Sequence, residues 1–206
     1  MNGTPIREVD VADLLGRDAV PPNPTLFTRN THNKCVLVTG AGGSIGAELC
    51  RQIVAQRPSR LVLLDHSEFA LYSVEQELRQ NSHGVPLAAC LGSVLDEALL
   101  GRLMATHGVQ TIYHAAAYKH VPLVEGNARE GVRNNVFGSQ QVALAAMRHG
   151  VETCVLISTD KAVRPTNVMG ASKRAAELVF QASALRANGR TTFSMVRFGN
   201  VLGSSG

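Results

Sequence analysis

The sequence predicts a doubly wound α/β fold, a parallel sheet of six or more strands flanked by helices. Three observations predict it. Short β-branched runs alternate with amphipathic segments of helical period from residue 34 onward. A glycine-rich turn follows the first run, at the mouth of the first helical segment. Hydrophobic residues make up 45% of the 206 and charged residues only 17%, below the roughly 25% of an average globular protein, which suits a well-buried sheet.

The predicted strands are Cys35–Gly40 (CVLVTG), Arg60–Asp65 (RLVLLD), Val85–Leu91 (VPLAACL), Gln110–Ala116 (QTIYHAA), Thr153–Thr159 (TCVLIST) and Thr191–Phe198 (TTFSMVRF). Strands separated by helices imply parallel pairing through right-handed crossovers. No internal repeat exists beyond this alternation. Residues 1–33 differ. The stretch VPPNPTLFTRNTHN, Val20 to Asn33, holds three prolines and many polar residues. It reads as an N-terminal linker, wrapped on the surface or disordered. The expected division is thus a linker over 1–33 and a dinucleotide-binding domain over 34–206.

A net charge of +4 with scattered basic residues suits anionic small ligands better than a nucleic-acid footprint, and no nucleic-acid partner is expected. No apolar run approaches the roughly 18 residues that span a bilayer, and no signal-peptide h-region is present, so a cytoplasmic location is expected. The cysteines, Cys35, Cys50, Cys90 and Cys154, lack CxxC spacing. They read as small buried hydrophobes in a reducing compartment, and no metal site is expected.

The turn VLVTGAGGSIGAEL places Gly40, Gly43 and Gly46 after the first strand, with Ser44 and Ile45 opening the helix. Glycines there permit a tight turn and let backbone approach a pyrophosphate, which rests on the helix N-terminal amides. Asp65 ends the second strand nineteen residues beyond Gly46, the spacing expected of a carboxylate on the adenosine ribose. The alternative is that Asp65 caps the helix starting near Glu68. A carboxylate at the ribose repels a 2′-phosphate, so NAD is favoured over NADP, although His66 and Ser67 could shelter such a phosphate.

At the other end, Thr159, Asp160 and Lys161 leave the fifth strand at its carboxyl end, where ligands bind in open α/β sheets. Met169 and Lys173 are four apart and share one helix face turned to the same crevice. For Asp160 and Lys161 the alternative is a local surface ion pair. Lys119 and His120 follow the fourth strand and are candidates to touch a substrate, or are simply surface-loop residues.

The TGxxGxxG spacing resembles the extended short-chain dehydrogenase/reductase superfamily, with a Rossmann-type sheet. By that resemblance Ser93 and Val94 in GSVLD contact adenine, although Ser93 stands where an acidic residue is usual. Ala115, Ala116 and Ala117 run beside the cofactor. The segment NNVFGS, Asn134 to Ser139, is similar to the one whose asparagine packs on the active-site strand. The blocks STDKAVRPTNVMGASK and RFGNVLGSSG sharpen the resemblance to the nucleotide-sugar 4,6-dehydratases of capsule, O-antigen and glycan biosynthesis, typified by UDP-N-acetylglucosamine 4,6-dehydratase. VADLLGRD, Val11 to Asp18, resembles the segment before the catalytic domain of long, membrane-anchored members.

The resemblance implies a lyase using NAD on a UDP-sugar. Hydride leaves sugar carbon 4, water is eliminated across carbons 5 and 6, and the hydride returns to carbon 6. Asp160 would be the acid, Lys161 the base and Thr159 the hydrogen-bond partner of the 4-hydroxyl. Lys173 would bind the nicotinamide ribose, Phe198 would line the nicotinamide and Asn200 would meet the substrate diphosphate. These roles require Asp160 to be raised in pKa by burial, and Lys161 to be lowered by desolvation and the Lys173 charge. Met169 occupies the position of the superfamily's tyrosine, so the 4-hydroxyl proton must leave through Asp160, Lys173 or a water held by Thr159. A UDP-sugar 4-epimerase or a non-catalytic dinucleotide-binding domain is the alternative. The resemblance further implies a homo-oligomer, a membrane-anchored parent protein and a missing C-terminal substrate portion, without which these residues alone turn over little substrate.

Overall fold

The structure, a computed structural model, describes residues 21, 23–82 and 84–201. Most of the linker expected over 1–33, including Val11 to Asp18, lies outside the described residues, as do the last five residues of FGNVLGSSG.

All six strands form within two residues of their expected bounds: β1 Cys35–Thr39, β2 Arg60–Asp65, β3 Leu87–Leu91, β4 Thr111–His114, β5 Thr153–Thr159 and β6 Thr192–Phe198. They make one parallel sheet in the order β3-β2-β1-β4-β5-β6. The order reverses between β1 and β4, which opens a crevice at the carboxyl ends of those strands.

Helices α2 (Ser44–Ala55) and α3 (Glu68–Asn81) cover one face, burying Val36, Val38, Leu61 and Leu63. Helices α4 (Glu97–His107), α7 (Gly138–Arg148) and α8 (Val168–Ala187) cover the other, burying Leu37, Val62, Leu64, Ile112 and Leu156. Alternate residues of β1 and β2 thus feed two separate cores, which is why these strands read as unbroken apolar runs. Phe180 of α8 is fully buried, edge-on to Phe193 and stacked on His114. Burying such a side chain contributes about 1.5–3 kcal/mol.

Helix starts follow local chemistry. Ser67 caps α3 by accepting from the Ala70 amide, Asp96 caps α4 through Leu99, and Asn167 caps α8 through Gly170. Residues 23–33 are docked on the domain rather than loose. Asn23 caps a short helix α1 (Pro24–Arg29), His32 meets the Gln56 carbonyl at 2.9 Å, and the Asn33 amide donates to Arg57. This segment lies at the end of the sheet remote from the crevice.

Between β4 and α7 run two short helices, α5 (Val121–Gly126) and α6 (Ala128–Val132), then one wide π-helical turn, Arg133–Phe137. Such wide turns are frequent at functional sites. Here it carries Asn135, which is buried.

Candidate active site

The glycine turn is built by close backbone packing. Gly40 sits at φ +68°, and a Cβ there would lie 2.6 Å from the Ala116 amide nitrogen. A Cβ on Gly46 would lie 1.9 Å from the Gly40 carbonyl oxygen, and one on Gly42 would meet Ala70 at 2.5 Å. Only glycine lets α2 start so close to β1 and to the Ala115–Ala117 strip. The sequence pattern did not single out Gly42, yet its amide donates to Asp65 Oδ2 at 2.9 Å.

Asp65 is buried at the end of β2, and its other oxygen accepts from the Ser67 amide at 2.9 Å. Ser67, not Asp65, caps α3, so the capping alternative for Asp65 does not hold. The carboxylate faces a cavity of about 470 Å³ bounded by Gly40, Gly43, Ser93, Val94 and Ala115 to Ala117. A second cavity, about 460 Å³, opens over Gly40, Gly43 to Gly46 and the loop after β4. Turn, helix N-terminus and flanking cavities have the shape and amide donors to hold a dinucleotide.

The third cavity, about 420 Å³, brings together Thr159, Lys161, Met169, Lys173, Phe198 and Asn200, with Lys119 and His120 on its opposite wall. Asp160 lies at its rim. Asp160 Oδ1 accepts from the Thr159 hydroxyl at 3.0 Å and from Lys161 Nζ at 3.3 Å. Lys161 Nζ also donates to Asn200 Oδ1 at 2.9 Å. One ammonium thus joins the two motif blocks.

The electrostatics differ from expectation. The Asp160 side chain is 57% exposed. The Thr159 hydroxyl, then Lys161, hold its carboxyl below the usual range, rather than burial raising it. Lys161 is accessible and ion-paired, so the desolvation expected of it is not present. The buried amine is Lys173. Its Nζ donates to the Ile157 carbonyl at 2.6 Å, and burial brings its pKa down to about 8 against the opposing pull of Glu177. Met169, buried one turn before it, offers only a thioether.

Tyr118 and His114 define the site without having been expected, and the asparagine of NNVFGS that supports them is Asn135. Tyr118 borders all three cavities. Asn135 clamps its backbone, accepting from the Tyr118 amide at 2.8 Å and donating to its carbonyl at 3.0 Å and to Ser172 of α8 at 2.9 Å. The asparagine therefore ties the loop after β4 to α8 instead of packing on β5. His114 lies beneath, between Thr39 at 2.6 Å and Ser139 at 2.9 Å. Ser139 gives its own proton to the Asn135 carbonyl, so His114 Nε2 donates to Ser139 and Nδ1 accepts from Thr39. Burial pushes the His114 pKa down to about 3. A lone aromatic in an alanine-rich loop was the available signal for Tyr118. For His114 there was none.

Comparison with known proteins follows the same lines. Residues 36–206 match a family described as polysaccharide biosynthesis protein. The capsular polysaccharide biosynthesis protein CapD of Staphylococcus aureus is 46% identical over 98% of this chain, which spans 34% of that relative. A UDP-N-acetylglucosamine 4,6-dehydratase (inverting) of Campylobacter jejuni is 33% identical over 85% of the chain and 51% of the relative. A UDP-glucose 4-epimerase of Rickettsia rickettsii is 32% identical over 84% and 51%. Among solved structures, Pen from Bacillus thuringiensis superposes with a TM-score of 0.79 at 31% identity, covering 86% of this chain and 55% of its own. The dTDP-glucose 4,6-dehydratase DesIV from Streptomyces venezuelae, solved with NAD and TYD bound, gives 0.67 at 27% identity, covering 79% and 55%. The chain therefore spans between a third and about half the length of the relatives it matches. No helix among the described residues is long and apolar enough to cross a membrane. With residues 36–206 matched and relatives similar over most of its length, the chain belongs to the polysaccharide biosynthesis protein family, on a Rossmann-type fold.

Proposed function

We propose that this chain is the dinucleotide-binding part of a nucleotide-sugar 4,6-dehydratase, with a UDP-sugar such as UDP-N-acetylglucosamine as substrate. The observation that carries it is the Thr159–Asp160–Lys161–Asn200 cluster at the mouth of the Lys173 cavity. A simple 4-epimerase leaves a paired acid and base without work, and a binding module needs neither.

The Gly40 to Gly46 turn, Asp65, the Ser93–Val94 segment, Ala115 to Ala117 and Phe198 would hold the cofactor, with NAD preferred because of the Asp65 charge. Bound there, the nicotinamide supplies a hydride acceptor that can later return the hydride. Lys119 and His120 are assigned to the sugar or diphosphate.

The chain's own groups handle the protons. The Thr159 hydroxyl receives the sugar 4-hydroxyl. The proton released from it goes to Lys173 in its neutral form, since a base near pKa 8 accepts it far more readily than an ionised Asp160. Lys161 Nζ, 3.3 Å from Asp160 Oδ1, would pass its proton to that carboxylate as the sugar binds, and the neutral amine so formed takes the carbon-5 proton. Asp160 gives a proton to the departing carbon-6 hydroxyl, which leaves as water. Thr159 and Lys161 are the contacts that keep Asp160 ionised, and both turn to the sugar when it binds. Withdrawing them raises Asp160 toward the protonated state it needs.

The test is mass spectrometry of UDP-N-acetylglucosamine incubated with the complete gene product. Loss of one water supports dehydration. Unchanged mass with altered stereochemistry overturns it in favour of epimerisation, and an untouched substrate favours the binding module.

A further inference from the structure

The end of the sheet behind the catalytic cavity holds a carboxylate with no part in the chemistry above. Glu177 lies one helical turn after Lys173 on α8 and is fully buried. Its Oε1 accepts from the Ser158 hydroxyl at 2.7 Å and from Arg197 Nε at 2.7 Å. Its Oε2 accepts from Arg197 Nη2 at 2.6 Å and from Arg174 Nη1 at 2.9 Å. Four donors hold one carboxylate, so its burial is compensated and it stays ionised, with a pKa of about 2.

The positions of the donors give this network its meaning. Ser158 immediately precedes Thr159, at the end of β5. Arg197 immediately precedes Phe198 and stands three residues before Asn200, at the end of β6. Arg174 and Glu177 follow Lys173 on α8, one and four residues on. An apolar residue at 177 would pack these elements together but could not fix their rotation or register. A planar carboxylate bound edge-on by a guanidinium does both.

We propose that Glu177 is a positioning residue: it fastens the strand ends bearing Thr159 and Asn200 to the helix bearing Lys173, and supplies the countercharge that faces the Lys173 ammonium. The proposal rests on the roles given above to Thr159, Lys173 and Asn200. The other charged or titratable groups around Lys173 are Arg174 on α8, Arg197 on β6, buried His114 on β4, and Asp160 and Lys161 after β5. Lys119 and His120 lie across the cavity. Glu177 is the buried anion among them, and its charge opposes the desolvation of Lys173.

The experiment is an NMR titration of the full chain carrying ε-¹³C-lysine, with the Lys173 resonance assigned by Lys173→Arg. In Glu177→Gln the Lys173 midpoint should fall by about one pH unit, because an attractive charge is lost. In Arg197→Gln it should rise, because a repulsive one is lost. Ser158→Ala, which removes a neutral donor, should leave the midpoint in place. In the complete enzyme, Glu177→Gln should lower kcat by at least tenfold and displace the pH profile with the Lys173 midpoint. A lower melting temperature with an unmoved Lys173 midpoint would mean a merely structural carboxylate and would overturn the proposal. If Glu177→Gln does not fold, Glu177→Asp decides in the complete enzyme: the charge stays but its reach shortens by one methylene, so kcat should still fall, and an unchanged kcat would overturn the proposal. The titration needs no turnover, so failure of the dehydratase assignment would leave its result readable.

Discussion

Replacing Gly40 by alanine tests the cofactor turn, because two penalties meet there and can be separated. The first is conformational. Gly40 lies at φ +68°, where an alanine costs about 1 kcal/mol. The second is steric. The new methyl would sit 2.6 Å from the Ala116 nitrogen and 2.7 Å from its Cα, both backbone atoms held in the strip beside β4. Relief requires that strip to move by roughly half an ångström or more, and we expect a total loss of about 2–4 kcal/mol. Gly150 supplies the control. It has nearly the same backbone, φ +65°, with nothing within 4 Å of a built Cβ. Gly150→Ala should therefore lose only the conformational part, about 1 kcal/mol, with dinucleotide binding unchanged. Both variants gain equally from a stiffer unfolded chain, so the difference between them isolates the clash. Urea unfolding measures the stability, and calorimetry with NAD measures the site, where Gly40→Ala should weaken binding at least tenfold, about 1.4 kcal/mol. Equal stability loss in the two variants, or undiminished NAD binding by Gly40→Ala, would refute the assignment of this turn to the pyrophosphate.

Three further outcomes are expected. Asp65→Asn should narrow or reverse the NAD preference proposed above, measured by calorimetry with each cofactor; tighter NADP binding by the unaltered chain would displace Asp65 from the ribose. His114 has a folded pKa near 3 against 6.5 ordinarily, so the unfolded chain binds the extra proton between those values. Its stability contribution is complete above about pH 6.5 and is lost as pH falls toward 3. Glu177 adds a loss of the same sign only below its ordinary 4.5, so the stability slope between pH 6.5 and 4.5 should flatten in His114→Asn. In the complete enzyme, Met169→Ala should reduce turnover only modestly, whereas Lys161→Ala should lower it about a hundred- to ten-thousandfold. Lys161→Ala should also accumulate reduced cofactor without releasing water, visible in stopped-flow absorbance, and equal losses from the two substitutions would make the thioether more than packing.

What the sequence disclosed and what it withheld divide along the range of the forces involved. The central strands were legible because burial on both faces forces continuous apolar runs, as in β1 and β2, and Gly40 and Gly46 because backbone proximity admits no other residue. Thr159, Lys161, Lys173 and Asn200 converge as their positions at strand ends and on one helix face require. Whether residues 23–33 wrap on the surface or hang loose was left open by prolines, which look alike in a loose linker and in a capped helix starting at Pro24. The ionisation of Asp160 depends on whether its carboxylate is covered, and its neighbours in sequence leave it exposed at the rim. Nothing in the sequence around Glu177 singles it out. Only the meeting of α8 with β5 and β6 shows that its partners lie 19 and 20 residues away.

The wide turn at Arg133–Phe137 acts as a shim between two helical phases. In a regular α-helix each residue advances about 100°, so one extra residue in a turn rotates everything after it by that angle relative to everything before. The chain uses that freedom to satisfy two demands that one continuous phase could not. Asn135 points into the polar clamp on Tyr118 and Ser172, while Ser139, Val142 and Ala146 face the sheet. Deleting any one residue from 133–137 would yield a more regular helix with the wrong phase, forcing either the clamp or the core to open. Local irregularity at this point is the condition for order on both sides of it.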